Sequence, residues 1–200
     1  MTVRTADHST LLNAFAADLS SLQRALAVLF VTMLTAAAAQ VSVPLPFTPV
    51  PFTLQPMIVL LGGAVLGPRL GFASQVLYLA VGITGLPVFA ASPLLPQGIA
   101  RLLGPTGGYL MSYPLAAFVT GALAARGLDR RYFTSVIAMA AGLAIVFGCG
   151  VAWIAWGPSS AGIGRAIAAG LMPFLPADLL KIVLAAAVLP SAWRLVGSRP

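Results

Sequence analysis

No charged residue occurs between Arg24 and Arg69, and only Asp178 and Lys181 interrupt the interval from Arg165 to Arg194. A charge-free run of that length fits the interior of a bilayer, which takes about 20 predominantly apolar residues per helical crossing. The composition agrees. Hydrophobic residues make up 60% of the 200-residue chain and charged residues 8%, far from the averages of soluble domains. The expectation is one all-α, polytopic domain over residues 1–200 in the cell membrane, with the lipid bilayer as its surroundings. The net charge of +7 comes from basic residues dispersed at segment ends, which argues for topology and lipid headgroups and against nucleic acid.

Charges and prolines divide the chain into six predicted spans, over residues 22–41, 55–66, 70–85, 105–125, 133–156 and 171–189. Residues 1–21 read as a polar cytoplasmic tail without a signal-peptide core. The segment 43–55, VPLPFTPVPFTLQ, has four prolines and cannot be regular helix. A second long connector, 86–104, carries Pro87, Pro93 and Pro96. With the amino terminus inside, Arg4, Arg24, Arg69, Arg126, Arg130, Arg131, Arg194 and Arg199 are cytoplasmic, and only Arg101 and Arg165 are external. That bias predicts six crossings with both termini in the cytoplasm. Small residues recur every fourth position along the fourth span (Gly108, Ser112, Ala116, Thr120, Ala124) and the fifth (Ala140, Ala144, Gly148, Ala152). Such stripes let helices approach closely in lipid. The single cysteine, Cys149, reads as a small packing residue.

Asp178 and Lys181 stand one helical turn apart in the last span. Ionisable residues at that depth are costly and face a cavity or a partner. At i, i+3 they share a helix face and partly neutralise each other, as a structural ion pair or as part of a ligand site. The two proline-bearing connectors fall on the same outer side, so these elements describe a pocket opening outward. Arg101 precedes LGPTGGYL (103–110), where Gly107 and Gly108 permit close backbone approach at a helix start. Arg101, Lys181 and Asp178 together carry one net positive charge, which suits a monoanion, while Phe47, Phe52, Phe89 and Tyr109 offer apolar walls. The loop lacks the Lys-Ser or Lys-Thr of a Walker A motif. The spans hold one carboxylate and no histidine, which speaks against an intramembrane enzyme or a proton relay.

VPLPFTPVPFTLQ, GLPVFA (85–90), LGPTGGYL and the late Asp-x-x-Lys together resemble the BioY family, the biotin-specific S components of energy-coupling factor (ECF) transporters, over residues 40–187. The resemblance implies a six-helix subunit that captures biotin from outside and needs no cofactor. It further implies delivery with a transmembrane coupling protein and two ATPase subunits. Matched motif by motif, Asp178 bonds the ureido group, Lys181 and Arg101 hold polar or carboxylate ends, and Gly107, Gly108 and Tyr109 line the pocket beside Phe52 and Phe89. The family's small-xxx-small docking motif on the first helix corresponds to Thr32 and Ala36. A carrier for a different small vitamin, either another S component or one that works alone, is the alternative.

Overall fold

The computed structural model describes residues 10–15, 19–91, 96–158 and 160–197. Arg4, His8, Asp18, Arg199 and the connector segment 92–95 lie outside the described residues. In chain order the elements are α1 (Leu11–Phe15), α2 (Ser21–Gln40), β1 (Ser42–Val43), β2 (Phe52–Thr53), α3 (Gln55–Leu66), α4 (Pro68–Ile83), α5 (Ile99–Leu103) and α6 (Gly107–Leu123). A π-helical turn (Ala124–Leu128) extends α6, and α7 (Tyr132–Trp156), α8 (Ile163–Gly170), α9 (Leu175–Ala186) and α10 (Val188–Gly197) follow.

Local chemistry explains most boundaries. Ser20 and Gln23 form a reciprocal capping box at the start of α2, with Ser20 Oγ accepting from the Gln23 N–H at 3.2 Å and Gln23 Oε1 from the Ser20 N–H at 2.9 Å. α3 begins where the second span was expected, because Pro56 falls in the first turn, where its missing N–H costs nothing. It ends at Gly67, whose φ of 81° turns the chain straight into α4. The proline segment is extended as expected, but its ends pair: Ser42 with Thr53 and Val43 with Phe52, antiparallel. The fold is all-α as expected, and this two-residue ribbon is a local feature of the connector, its length held down by four prolines that cannot donate.

Among the described residues, four helical stretches are long and apolar enough to cross a membrane: Ser21–Gln40, Gly107–Leu128, Tyr132–Trp156 and Leu175–Val196. α3 has 12 residues and α4 has 16, about 18 and 24 Å at 1.5 Å per residue, short of a full hydrocarbon core. The sixth segment is helical later than expected, because residues 171–174 form turns before α9 and the helix bends at Ala187 into α10. The expected polar tail is not wholly free of the fold. Leu11 is 1% exposed within the hydrophobic core, and Thr10 packs against Gly67.

α6 is the central helix, and its predicted stripe of Gly108, Ser112, Ala116, Thr120 and Ala124 is buried throughout. The stripe on α7 is a correction: Ala144 and Gly148 face outward, as does Cys149, while Gly142 and Gly150 turn inward. Both inward glycines are needed for close approach, since a Cβ at Gly142 would strike Thr120 Oγ1 and one at Gly150 the Tyr109 ring. α3, α4 and α6 meet at backbone level. A Cβ at Gly71 would lie 2.9 Å from Gly63 Cα, and one at Gly121 would lie 2.6 Å from the Gly63 carbonyl. Ser74 and Gln75 on α4 face Thr32 and Thr35 on α2 in a buried polar seam, with Thr32 Oγ1 donating to the Ser74 carbonyl at 2.8 Å.

Candidate functional site

A cavity opens where the start of α3, the 86–104 connector, α6, α7 and the start of α9 converge. It holds about 600 Å³ of space free of protein atoms, counted out to its mouth. Its walls are mostly apolar and aromatic, with Phe89 from the connector, Tyr109 and Tyr113 from α6, Phe147 from α7 and Phe174 before α9. Five polar residues join them: Thr53, Gln55, Arg101, Thr106 and Asp178. An apolar concavity with a few convergent polar groups is the usual form of a small-molecule site.

Asp178 sits in the first turn of α9, where the helix dipole favours a carboxylate, and is 5% exposed. Lys181 lies one turn on. Its Nζ donates to Asp178 Oδ1 at 2.6 Å and to the Thr53 carbonyl at 2.6 Å, and it stands 3.5 Å from the Phe52 ring centroid. These contacts commit the ammonium to protein groups, and neither Lys181 nor Phe52 lines the cavity. Where the sequence expectation set both against a ligand, the structure places the Phe52 ring under the ammonium and Lys181 between Asp178 and the Thr53 carbonyl of β2. Two charges neutralised in this way leave Arg101 to set the charge of the site.

Arg101 is carried into the wall by the short helix α5 and is 3% exposed. Its Nε has no hydrogen-bond partner, and among the described residues no carboxylate pairs with it. Burial pulls its pKa below the ordinary arginine value, opposed by the Tyr78 oxygen. A guanidinium remains ionised at neutral pH regardless. A buried, unpaired guanidinium at a cavity wall is a site for an anion.

Of the other expected residues, Phe89 and Tyr109 line the cavity, and the Tyr109 hydroxyl donates to the Gly170 carbonyl at 2.7 Å. Gly107 and Gly108 do not line it. A Cβ on Gly107 would run into the Leu102 carbonyl, and one on Gly108 into Trp153. Their role is helix packing, and Thr106 beside them faces the cavity instead. Phe47 is 66% exposed and does not line the cavity. Thr32 is buried in the α2–α4 seam, so it presents nothing to a docking partner, and Ala36 is half-buried at the rim of that face.

Sequence reading missed Gln55, Tyr113, Phe147 and Phe174. Gln55 was visible as a polar residue at the start of a span. Tyr113 follows Tyr109 by four residues and so shares its helix face. Among the described residues no cluster of three or more His, Cys, Asp or Glu could hold a metal ion.

The BioY family model matches residues 9–198 of this chain. The chain belongs to the BioY family. A "Probable biotin transporter BioY" of Pyrococcus horikoshii is 41% identical over 173 residues, covering 86% of this chain and 95% of the relative. A "Biotin transporter BioY" of Thermotoga maritima is 40% identical over 157 residues, covering 78% and 88%. The fold of this BioY-family chain matches a crystal structure described as the S-component for biotin from an ECF-type ABC transporter. The TM-score is 0.77 at 25% identity, covering 88% of this chain and 95% of that one. The chain is thus a multi-pass membrane protein of a transporter family and not an enzyme.

Proposed function

We propose that this chain is an S component that captures biotin in the cavity described above. The observation that carries the reading is the pairing of a lone buried cation, Arg101, with a braced carboxylate, Asp178, on an otherwise apolar wall. Biotin has one carboxylate, ureido N–H donors and an apolar bicyclic body. Arg101 takes its carboxylate, Asp178 accepts from its ureido group, and the aromatic walls cover the rings. Lys181 holds Asp178 in place without touching the ligand.

In this reading the chain makes six crossings with both termini in the cytoplasm, supported by the eight-to-two distribution of arginines. α3 and α4 supply two short crossings packed inside the bundle. The cavity then opens outward. The chain has neither a nucleotide-binding motif nor a proton relay, so accumulation depends on a coupling protein and ATPases. Contact with that protein uses the exposed side of α2, with Ala36 at its rim and Met33 on its face. Thr32 has no part in it.

Labelled biotin titrated onto the purified chain should bind saturably, and Arg101→Ala should weaken it at least ~100-fold, the ~3 kcal/mol of a charge-assisted pair. The methyl ester of biotin, which lacks the charge, should be nearly indifferent to that substitution. A parent chain that does not bind biotin would sink the proposal. An Arg101→Ala chain that binds biotin as the parent does would sink the role of Arg101.

A further inference from the structure

Gln55 is 2% exposed and forms part of the cavity wall. One end of its amide is accounted for: Nε2 donates to the Tyr78 hydroxyl at 2.6 Å. That hydroxyl donates in turn to the Val88 carbonyl at 3.1 Å. A phenol has one proton to give. With that proton committed to Val88, the Tyr78 oxygen presents only lone pairs towards Gln55. The amide therefore turns its NH2 to Tyr78, because the opposite orientation would set two oxygens against each other. Tyr78 cannot swing away. It is fully buried, edge-on to Phe89 with ring centroids 5.4 Å apart, and stacked on Tyr113 at 6.4 Å. Gln55 Oε1 receives no donor from the described residues.

We propose that Gln55 is a specificity-determining residue that offers a fixed hydrogen-bond acceptor to a ligand N–H, and that Tyr78 is the positioning residue that sets which end of the amide faces the ligand. The proposal rests on the biotin reading and refines it. A ureido group has two N–H donors, and Asp178 and Gln55 are two acceptors on different walls of one cavity. Each takes one donor. A ligand that puts a lone pair or a methyl group at the Gln55 side loses the bond and meets an oxygen that cannot turn away. Tyr78 acts through Gln55 and does not line the cavity.

The test is equilibrium titration of the purified full chain with biotin and with its two derivatives methylated at one or the other ureido nitrogen. The parent should prefer biotin to each derivative by tenfold or more. In Gln55→Ala, biotin should weaken about tenfold, the worth of one hydrogen bond to a buried group. Its preference over one derivative should collapse to within twofold, and its preference over the other should stay at the parental value. Tyr78→Phe releases the amide, so it should erode that same preference and leave the second intact. These are ratios of affinities in one preparation, so loss of folded protein does not move them. Parental ratios for both derivatives in Gln55→Ala, or equal erosion of both ratios in Tyr78→Phe, would overturn the assignment. A parent chain that binds none of the three ligands removes the biotin reading itself and this proposal with it.

Discussion

Replacing Lys181 with Met isolates the brace at Asp178. Met keeps the unbranched apolar stem but ends one atom short of Nζ, so the perturbation is the loss of one charge, two hydrogen bonds and the ammonium's contact with the Phe52 ring. The Asp178 side chain is 7% exposed and that of Lys181 is 12% exposed, so water screens the pair little. Removing one partner leaves the Asp178 carboxylate buried without a cation and the Thr53 carbonyl without a donor. Breaking a buried pair in this way costs about 3–5 kcal/mol. At the lower figure the melting temperature of a chain this size should fall by roughly 6–12 °C. Asp178→Asn with Lys181→Met leaves no lone charge, so the double variant should recover at least ~1 kcal/mol relative to Lys181→Met alone. Thermal unfolding of the four proteins in one detergent completes the cycle, with biotin affinity measured alongside. Affinity should be lost in both single variants and stay lost in the double variant while stability returns. Additive stability losses in the double variant would show that the two residues do not act as a pair and would refute the brace.

The α2–α4 seam makes a separate prediction: Thr32→Trp should destabilise the protein by about 2 kcal/mol or more through overpacking, whereas Met33→Trp on the exposed face should leave melting unchanged. Equal melting of the two variants would mean the helix is turned otherwise. For topology, in a Cys149→Ala background, a cysteine at exposed Leu86 should react with an impermeant thiol reagent on intact cells, and one at exposed Arg131 only after lysis. The reverse pattern would overturn the outward cavity. Asp129 lies between the α6 extension and α7, and burial raises its pKa, opposed by the Trp193 N–H at 2.7 Å and by Arg130. The folded state thus holds this proton more tightly than the unfolded chain. Its stabilising effect is complete below the ordinary carboxylate pKa and is lost as pH rises through the raised value. Asp129→Asn keeps the acceptor for Trp193 and removes the titration, so it should flatten that decline in melting temperature. Identical pH profiles of parent and variant would contradict this.

What the sequence made legible follows from cost. Asp178 stood out because a charge in hydrocarbon is expensive, Arg101 because it precedes the glycine-rich turn of 103–110, and both lie on the cavity wall. The prolines of 43–55 and the Gly67 turn were readable because backbone sterics act locally. The phase of a helix about its own axis was not. Thr32 and Ala36 fit an outward docking face as well as an inward seam, and only the matching Ser74 and Gln75 on α4 decide for the seam. The α7 stripe failed likewise, since Gly142 and Gly150 offer as good a small-residue face as Ala144 and Gly148. Spacing put Lys181 beside Asp178 but not its Nζ on Thr53, a residue far away in sequence. Gln55 was missed because a neutral amide in a membrane costs too little to announce itself.

The contact of α3, α4 and α6 through Gly63, Gly71 and Gly121 bears on how the cavity can change shape. Backbones that touch without intervening side chains have no soft layer to compress, and packed interiors yield little. Gln55 and Gly63 are on the same helix, two turns apart, and Tyr113 and Gly121 are likewise two turns apart on α6. The seam therefore works as a clamp that fixes the distance between those two walls, with ligand or without it. Across the cavity, Val50, Pro51 and Thr53 of the proline loop form a wall that this seam does not reach, and Thr48 Oγ1 ties that loop to the Ala169 carbonyl at 2.7 Å. The spacing of the Gln55 and Tyr113 walls is thus set by backbone contact, whereas the loop wall is set by side chains and one hydrogen bond.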